Sequence, residues 1–158
     1  MHPTAIAEQL KSTKEFFDRS TRPLAEADSN FKAFPEAFTV AQQVAHTAQT
    51  IDWFFEGAFR PECFDMDFEK ATQQILAVNS LATARKMLDG AFAKAIETAK
   101  SKSAEEWAAC LPPNPIFGEI PRSVVIGALV DHTAHHRGAL TVYTRLLGKV
   151  PPMPYGDM

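Results

Sequence analysis

The chain has 158 residues and a mass of 17.4 kDa, enough for one domain with a proper core and too few for two. Its 46% hydrophobic and 22% charged residues sit near globular averages, which excludes wholesale disorder and a coiled-coil rod. The net charge is -3 with no basic run to track phosphates, and the longest apolar run, Val124 to Val130, is far short of the roughly 18–20 residues of a membrane span, so neither nucleic acid nor a bilayer is an expected partner.

The amino terminus, Met1-His2-Pro3-Thr4-Ala5, lacks the basic head and apolar middle of a secretory signal, so the expected location is cytoplasmic. From Ala5 to about Arg19, Ile6, Leu10, Phe16 and Phe17 recur at near-helical spacing and predict a first amphipathic helix, ended by Thr21-Arg22-Pro23. After a loop to Pro35, Glu36 to about Phe59 carries no breaker except Gly57 and reads as a second helix, closed by Arg60-Pro61. Cys63 follows in a loop; it and Cys110 form no CxxC and read as ordinary reduced thiols. From Asp67 to Lys100 the steps of three, four and seven between Phe68, Ile75, Val78, Leu81, Leu88, Phe92 and Ile96 predict one long third helix. Ser103-Ala104-Glu105-Glu106 has the form of a capping box and starts a short helix, stopped by Pro112-Pro113 and Pro115. Pro121 suits the first position of a last helix running to Gly148, about 27 residues or roughly 40 Å. No segment alternates with period two, so the fold class is all-α, a four-helix bundle with connecting loops long enough for crossovers, spanning residues 1–158 as one domain.

Three of the five histidines crowd into Asp131-His132-Thr133-Ala134-His135-His136-Arg137-Gly138. Positions four apart on a helix lie one turn above each other, so His132 and His136 can aim their imidazoles at one ion, while His135 points elsewhere. Both belong to a stripe, Val125, Leu129, His132, His136, Ala139, Tyr143 and Leu146, that should face the bundle interior. They are either core histidines satisfied by backbone carbonyls or metal ligands. His46, near the middle of the second helix, lies at a depth where it can meet the middle of the last and complete a set of three nitrogens.

One histidine in the second long helix and an HxxxH followed by Arg-Gly in the last resemble the DinB/YfiT-like superfamily of small metal-binding four-helix bundles. The resemblance places the metal ligands at His46, His132 and His136, with water or a variable side chain completing the sphere. The usual His-Arg-Gly-Gln continuation is here His136-Arg137-Gly138-Ala139, without the glutamine. Three histidines and an open position fit a catalytic site better than a structural one. The implied cofactor is one divalent ion, with zinc or nickel foremost, and imidazole alone does not choose among metals. By resemblance to characterised members, the implied activity is that of a metal-dependent thiol S-transferase joining a low-molecular-weight thiol cosubstrate to a small-molecule electrophile. A non-catalytic stress-response or binding module with a stabilising metal site is the alternative. A metal-dependent hydrolase is weaker, because no carboxylate base stands between the histidines and helix geometry turns Asp52 and Asp131 off the ligand stripe. Tyr143, two turns beyond His136, either bonds a bound ligand or packs, and Arg137 either anchors an anionic group or pairs structurally.

The second helix carries an apolar stripe, Val40, Val44, Ile51 and Phe55, yet His46 lies nearly opposite with Gln42, Gln49 and Trp53. Two working faces on one helix mean that one lines the metal pocket and the other packs on a neighbouring helix or a second subunit; a homodimer is the simplest oligomer and the expectation, with a helix embedded in its own bundle as the alternative.

Overall fold

A helix starts where a side chain can take the amides that its first turn leaves unpaired, and this rule fixes the start of every α-helix described except the last. The computed structural model describes residues 2–156, and in them six α-helices: α1 (Pro3–Thr21), α2 (Val40–Phe59), α3 (Phe68–Leu76), α4 (Leu81–Ser101), α5 (Ala104–Ala108) and α6 (Val124–Leu146). The only strand-like feature among these residues is an isolated bridge between Cys110 and Pro121. No helix described is long and apolar enough to cross a membrane.

The expected single helix from Asp67 to Lys100 is two. Ser80 caps the start of α4 by accepting from the Thr83 amide, and two further amides there are taken from a distance, Leu81 by Ser29 Oγ at 2.9 Å and Ala82 by Glu26 at 2.7 Å. Hydrophobic spacing continued across the break and concealed it; the caps decide it. Likewise α2 begins at Val40 rather than Glu36, because Thr39 and Gln42 form a capping box. Pro121 is not the first residue of α6. The segment 109–123 is tied back to itself and to α5 by Leu111 N to Ile120 O, Arg122 N to Ala109 O and Ser123 N to Trp107 O, so the helix starts at Val124. The short helix at Ser103 and the left-handed Gly148, at φ +73°, lie where expected.

The four long helices form the bundle. α2 packs on α4 and α6, and α1 packs on the same two, so α1 lies diagonally from α2 and α4 from α6. The connections 22–39 and 102–123 therefore cross the end of the bundle, which accounts for their length. Ile6, Leu10 and Phe17 of α1, Ile51 and Phe55 of α2, Leu88 and Phe92 of α4, and Leu129 and Leu140 of α6 make one buried core. Trp107 of α5 plugs its end against Phe55 and Phe59.

Both faces of α2 are covered within the chain. The apolar stripe enters the core, and the opposite face docks α3 and the loop before it: Gln42 Nε2 donates to Leu76 O at 3.1 Å, Gln49 Nε2 to Ala71 O at 3.0 Å, and Trp53 Nε1 to Asp65 O at 2.7 Å. Of the two partners expected for the second face, a neighbouring helix or a second subunit, the chain itself supplies the first, as α3. Gly57 permits the same docking, since a Cβ there would stand 2.1 Å from the Phe64 ring.

Candidate metal centre

The three histidines come from two adjacent helices. One helical turn separates His132 from His136 on α6, and their Nε2 atoms stand 3.2 Å apart. His46 faces both from α2, with ring centroids 5.1 Å from His132 and 4.8 Å from His136. One ligand atom from each lies within 4.8 Å of the others, and no carboxylate or thiolate joins the group. Two ligands at about 2.0–2.1 Å from a tetrahedral ion stand roughly 3.3 Å apart, so the α6 pair is already at ligating separation. His135 is exposed and only meets the edge of the His136 ring, at 5.0 Å.

Burial sets the charge state of the cluster. Loss of water, and after it the charge that the neighbouring imidazoles would carry, together push His136 down to about 3 and His132 to about 4. His46 is lowered by burial and then by His135. Uncharged imidazoles present lone pairs at neutral pH, as metal ligation requires. One more residue fixes which nitrogen presents it. Gln43, buried one turn before His46, places Oε1 2.5 Å from His136 Nδ1. An amide oxygen only accepts, so Nδ1 carries the hydrogen and Nε2 is left free toward the cluster. The donor set and this orientation fit a divalent ion held by His46, His132 and His136.

Gln43 was not singled out from the sequence, although a glutamine among Val40, Ala41, Val44, Ala45 and Ala48 is a polar residue in an apolar run and asks for a buried partner. With alanine at 139, the side-chain partner of His136 Nδ1 comes from α2. Tyr143 stays outside the cluster: its hydroxyl donates to Phe38 O at 3.0 Å and its ring meets Phe31 edge-on. It holds the loop whose Phe38 side chain lies against His46, with ring centroids 5.5 Å apart. Arg137 is one residue, about 100° of helix, past His136 and makes no hydrogen bond or ion pair among the described residues. Leu146, the last member of the expected inward stripe, is 58% exposed, and Leu140 and Thr144 are buried in its stead. The straight reading of three- and four-residue steps had drifted off the core face.

His46 and His132 open into a cavity of about 480 Å³ between α2, α3 and the loop that joins them. Phe38, Trp53, Phe54 and Phe68 wall it. Asp52, expected to turn away, also lines it, because α3 extends the cavity around α2; its carboxylate is 3.4 Å from Lys94. A larger groove of about 650 Å³ between α1 and α4 has no ligating cluster; of its charged residues, Lys14 pairs with Asp18 and with Asp89, and Arg19 with Glu15.

The fold is a helical bundle, and its half-buried three-histidine group, next to a cavity, could hold a metal ion. The DinB family model matches residues 7–158, and the chain belongs to the DinB family. No curated protein sequence matches it. Among solved structures, the chain is similar to a DinB-like protein from Bacillus cereus ATCC 10987, at 20% identity and a TM-score of 0.68, covering 91% of this chain and 89% of that one. It is also similar to a mycothiol-dependent maleylpyruvate isomerase, at 13% identity and a TM-score of 0.63, covering 89% of this chain and 63% of the isomerase. A third, a conserved protein from Enterococcus faecalis, has 19% identity and a TM-score of 0.60 over 94% of this chain and 99% of that one. At these identities the likeness is one of fold.

Two outcomes follow from the geometry. Replacing Gln43 with leucine frees the His136 ring, and metal affinity, read by competition with a chromophoric chelator, should fall about 10- to 100-fold; unchanged affinity would mean the hydrogen bond does not orient the ligand. The second concerns pH. An unfolded histidine takes its proton near 6.5, whereas folded His132 and His136 hold off to about 4 and 3. The unfolded state thus binds more protons below pH 6.5, so the metal-free protein loses stability as pH falls from there towards 3. The urea midpoint should drop between pH 7 and 5, above the carboxylate range; a flat midpoint would contradict buried neutral imidazoles.

Proposed function

We propose that the chain is a metal-dependent thiol S-transferase: His46, His132 and His136 would hold a divalent ion, zinc or nickel, whose charge would favour the thiolate of a low-molecular-weight thiol for attack on a small electrophile. The observation that carries this reading is the donor set, three imidazoles with no carboxylate among them, two of which, His46 and His132, line an accessible cavity. Closed structural zinc sites take four protein ligands, usually thiolates, whereas three leave a position for a substrate atom. When bound, a divalent ion supplies the positive charge that brings the pKa of a coordinating thiol into the neutral range.

The chain's own residues do the remainder. Gln43 holds His136 in the ligating tautomer, and Phe38, Trp53 and Phe54 line an apolar path to the histidines that thins out competing water. A hydrolase would need a carboxylate base aimed at the cluster. Asp52 and Glu56 instead pair with Lys94, and Asp65 and Asp67 accept from backbone amides of the α3 start. The fold neighbour named for its dependence on mycothiol supports a thiol as the cosubstrate class.

Conjugation of a thiol panel to an electrophile such as 1-chloro-2,4-dinitrobenzene gives the test. Metal-loaded protein should form the S-conjugate, and the rate should fall about 100-fold on chelation or in the triple variant His46→Ala, His132→Ala, His136→Ala. Turnover never above that of the triple variant, alongside a metal-dependent rise in Tm, would make the protein a binding module with a stabilising ion.

A further inference from the structure

The cavity above the histidines has a chemistry of its own, and it selects by charge. Its walls are flat and apolar: Trp53 and Phe68 have ring centroids 6.2 Å apart, Trp53 and Phe54 5.2 Å, and Phe54 stands 6.5 Å from His132. Its outer lining is acidic, with Asp52, Glu56, Asp65 and Asp67 against the single lysine Lys70. These carboxylates are not alike. Lys94 lies between Asp52 and Glu56, at 3.4 and 2.7 Å, and offsets much of their charge. Asp65 and Asp67 meet no cationic side chain among the described residues; Asp65 Oδ1 accepts from the Asp67 amide at 3.0 Å and Asp67 Oδ1 from the Lys70 amide at 2.9 Å. Trp53 binds the Asp65 carbonyl, so the aromatic wall and the acidic rim are held as one unit.

An entering molecule thus passes two carboxylates that have no cationic partner and slides along aromatic faces whose quadrupoles also favour positive charge. A ligand bearing a carboxylate is repelled at the rim by the same groups. A cavity of about 480 Å³ accommodates one ring with a short chain.

We infer that the molecule filling this cavity is an ammonium-bearing compound with a flat apolar body, its amine at Asp65 and Asp67 and its body along Trp53, Phe54 and Phe68. This builds on reading the histidine cavity as the substrate site, but it concerns the walls and rim and holds with or without an ion on the floor.

The test uses the whole chain, freed of metal by chelation, with three probes that share a body and differ in charge: 2-phenylethylamine, 2-phenylethanol and 3-phenylpropionate. Quenching of Trp53, the half-buried tryptophan in the wall, reports binding, while Trp107 in the core is silent. The amine should bind about fivefold more tightly than the alcohol and the carboxylate more weakly than either. The double variant Asp65→Asn, Asp67→Asn should erase the advantage of the amine and leave the alcohol unchanged, because asparagine still caps α3. Overturning results are a carboxylate that binds as well as the amine, an amine advantage that survives in the double variant, or no binding by any probe. Selection for the amine in a protein that never takes up metal would support this inference and sink the metal-dependent reaction, so the two fail separately.

Discussion

Three imidazoles packed within 4.8 Å of one another must be uncharged, and the rest of the site follows from the way burial enforces that. An imidazolium here would lose its water and face two neighbours of the same sign. The neutral state is inherited from the fold: α2 and α6 are adjacent in the bundle, each presents its histidines at mid-length, and the aromatic side chains around them keep water sparse. Neutral nitrogen alone does not make a ligand, because each ring has two nitrogens and one carries a hydrogen. At His136, Gln43 decides which. The cluster is thus built by pairing residues across α2 and α6, and a shift of either helix along the other would undo it.

The same helix pair explains why the chain has two short helices that a minimal bundle does not need. α5 supplies Trp107, which closes the core beneath α2. α3 and the loop before it roof the polar face of α2, so that face becomes the wall of a cavity instead of solvent-exposed surface. The loop turns sharply at Cys63, the only described non-glycine residue at positive φ, and Phe64 folds back into the space that Gly57 leaves. Structure that the four-helix description omits therefore gives the site its enclosure.

How much of this was legible in the sequence depended on the range of the cause. His132 and His136 were readable because their relation is fixed by one helical turn, and His46 because depth along a helix is simple arithmetic. The four long helices were visible in the hydrophobic steps. Their starts were not, although Thr39-x-x-Gln42 and Ser80 were present as local signals, because periodicity ran on past them. Tyr143 sat on the right stripe, but its hydroxyl is taken by the Phe38 carbonyl, which comes from a loop more than 100 residues away in the chain. The two faces of α2 were read correctly as both working. That α3 covers the second one is a tertiary fact, and no spacing within α2 reports it.

The central requirement is that the three histidines hold one divalent ion. Elemental analysis of protein reloaded with zinc or nickel and freed of excess ion by gel filtration tests it directly. The account predicts about one ion per chain in the wild type and in His135→Ala, whose ring lies outside the cluster, and loss of the ion in His46→Ala, His132→Ala and His136→Ala. Retention of a full complement in His132→Ala, or loss in His135→Ala equal to that in His132→Ala, would contradict it.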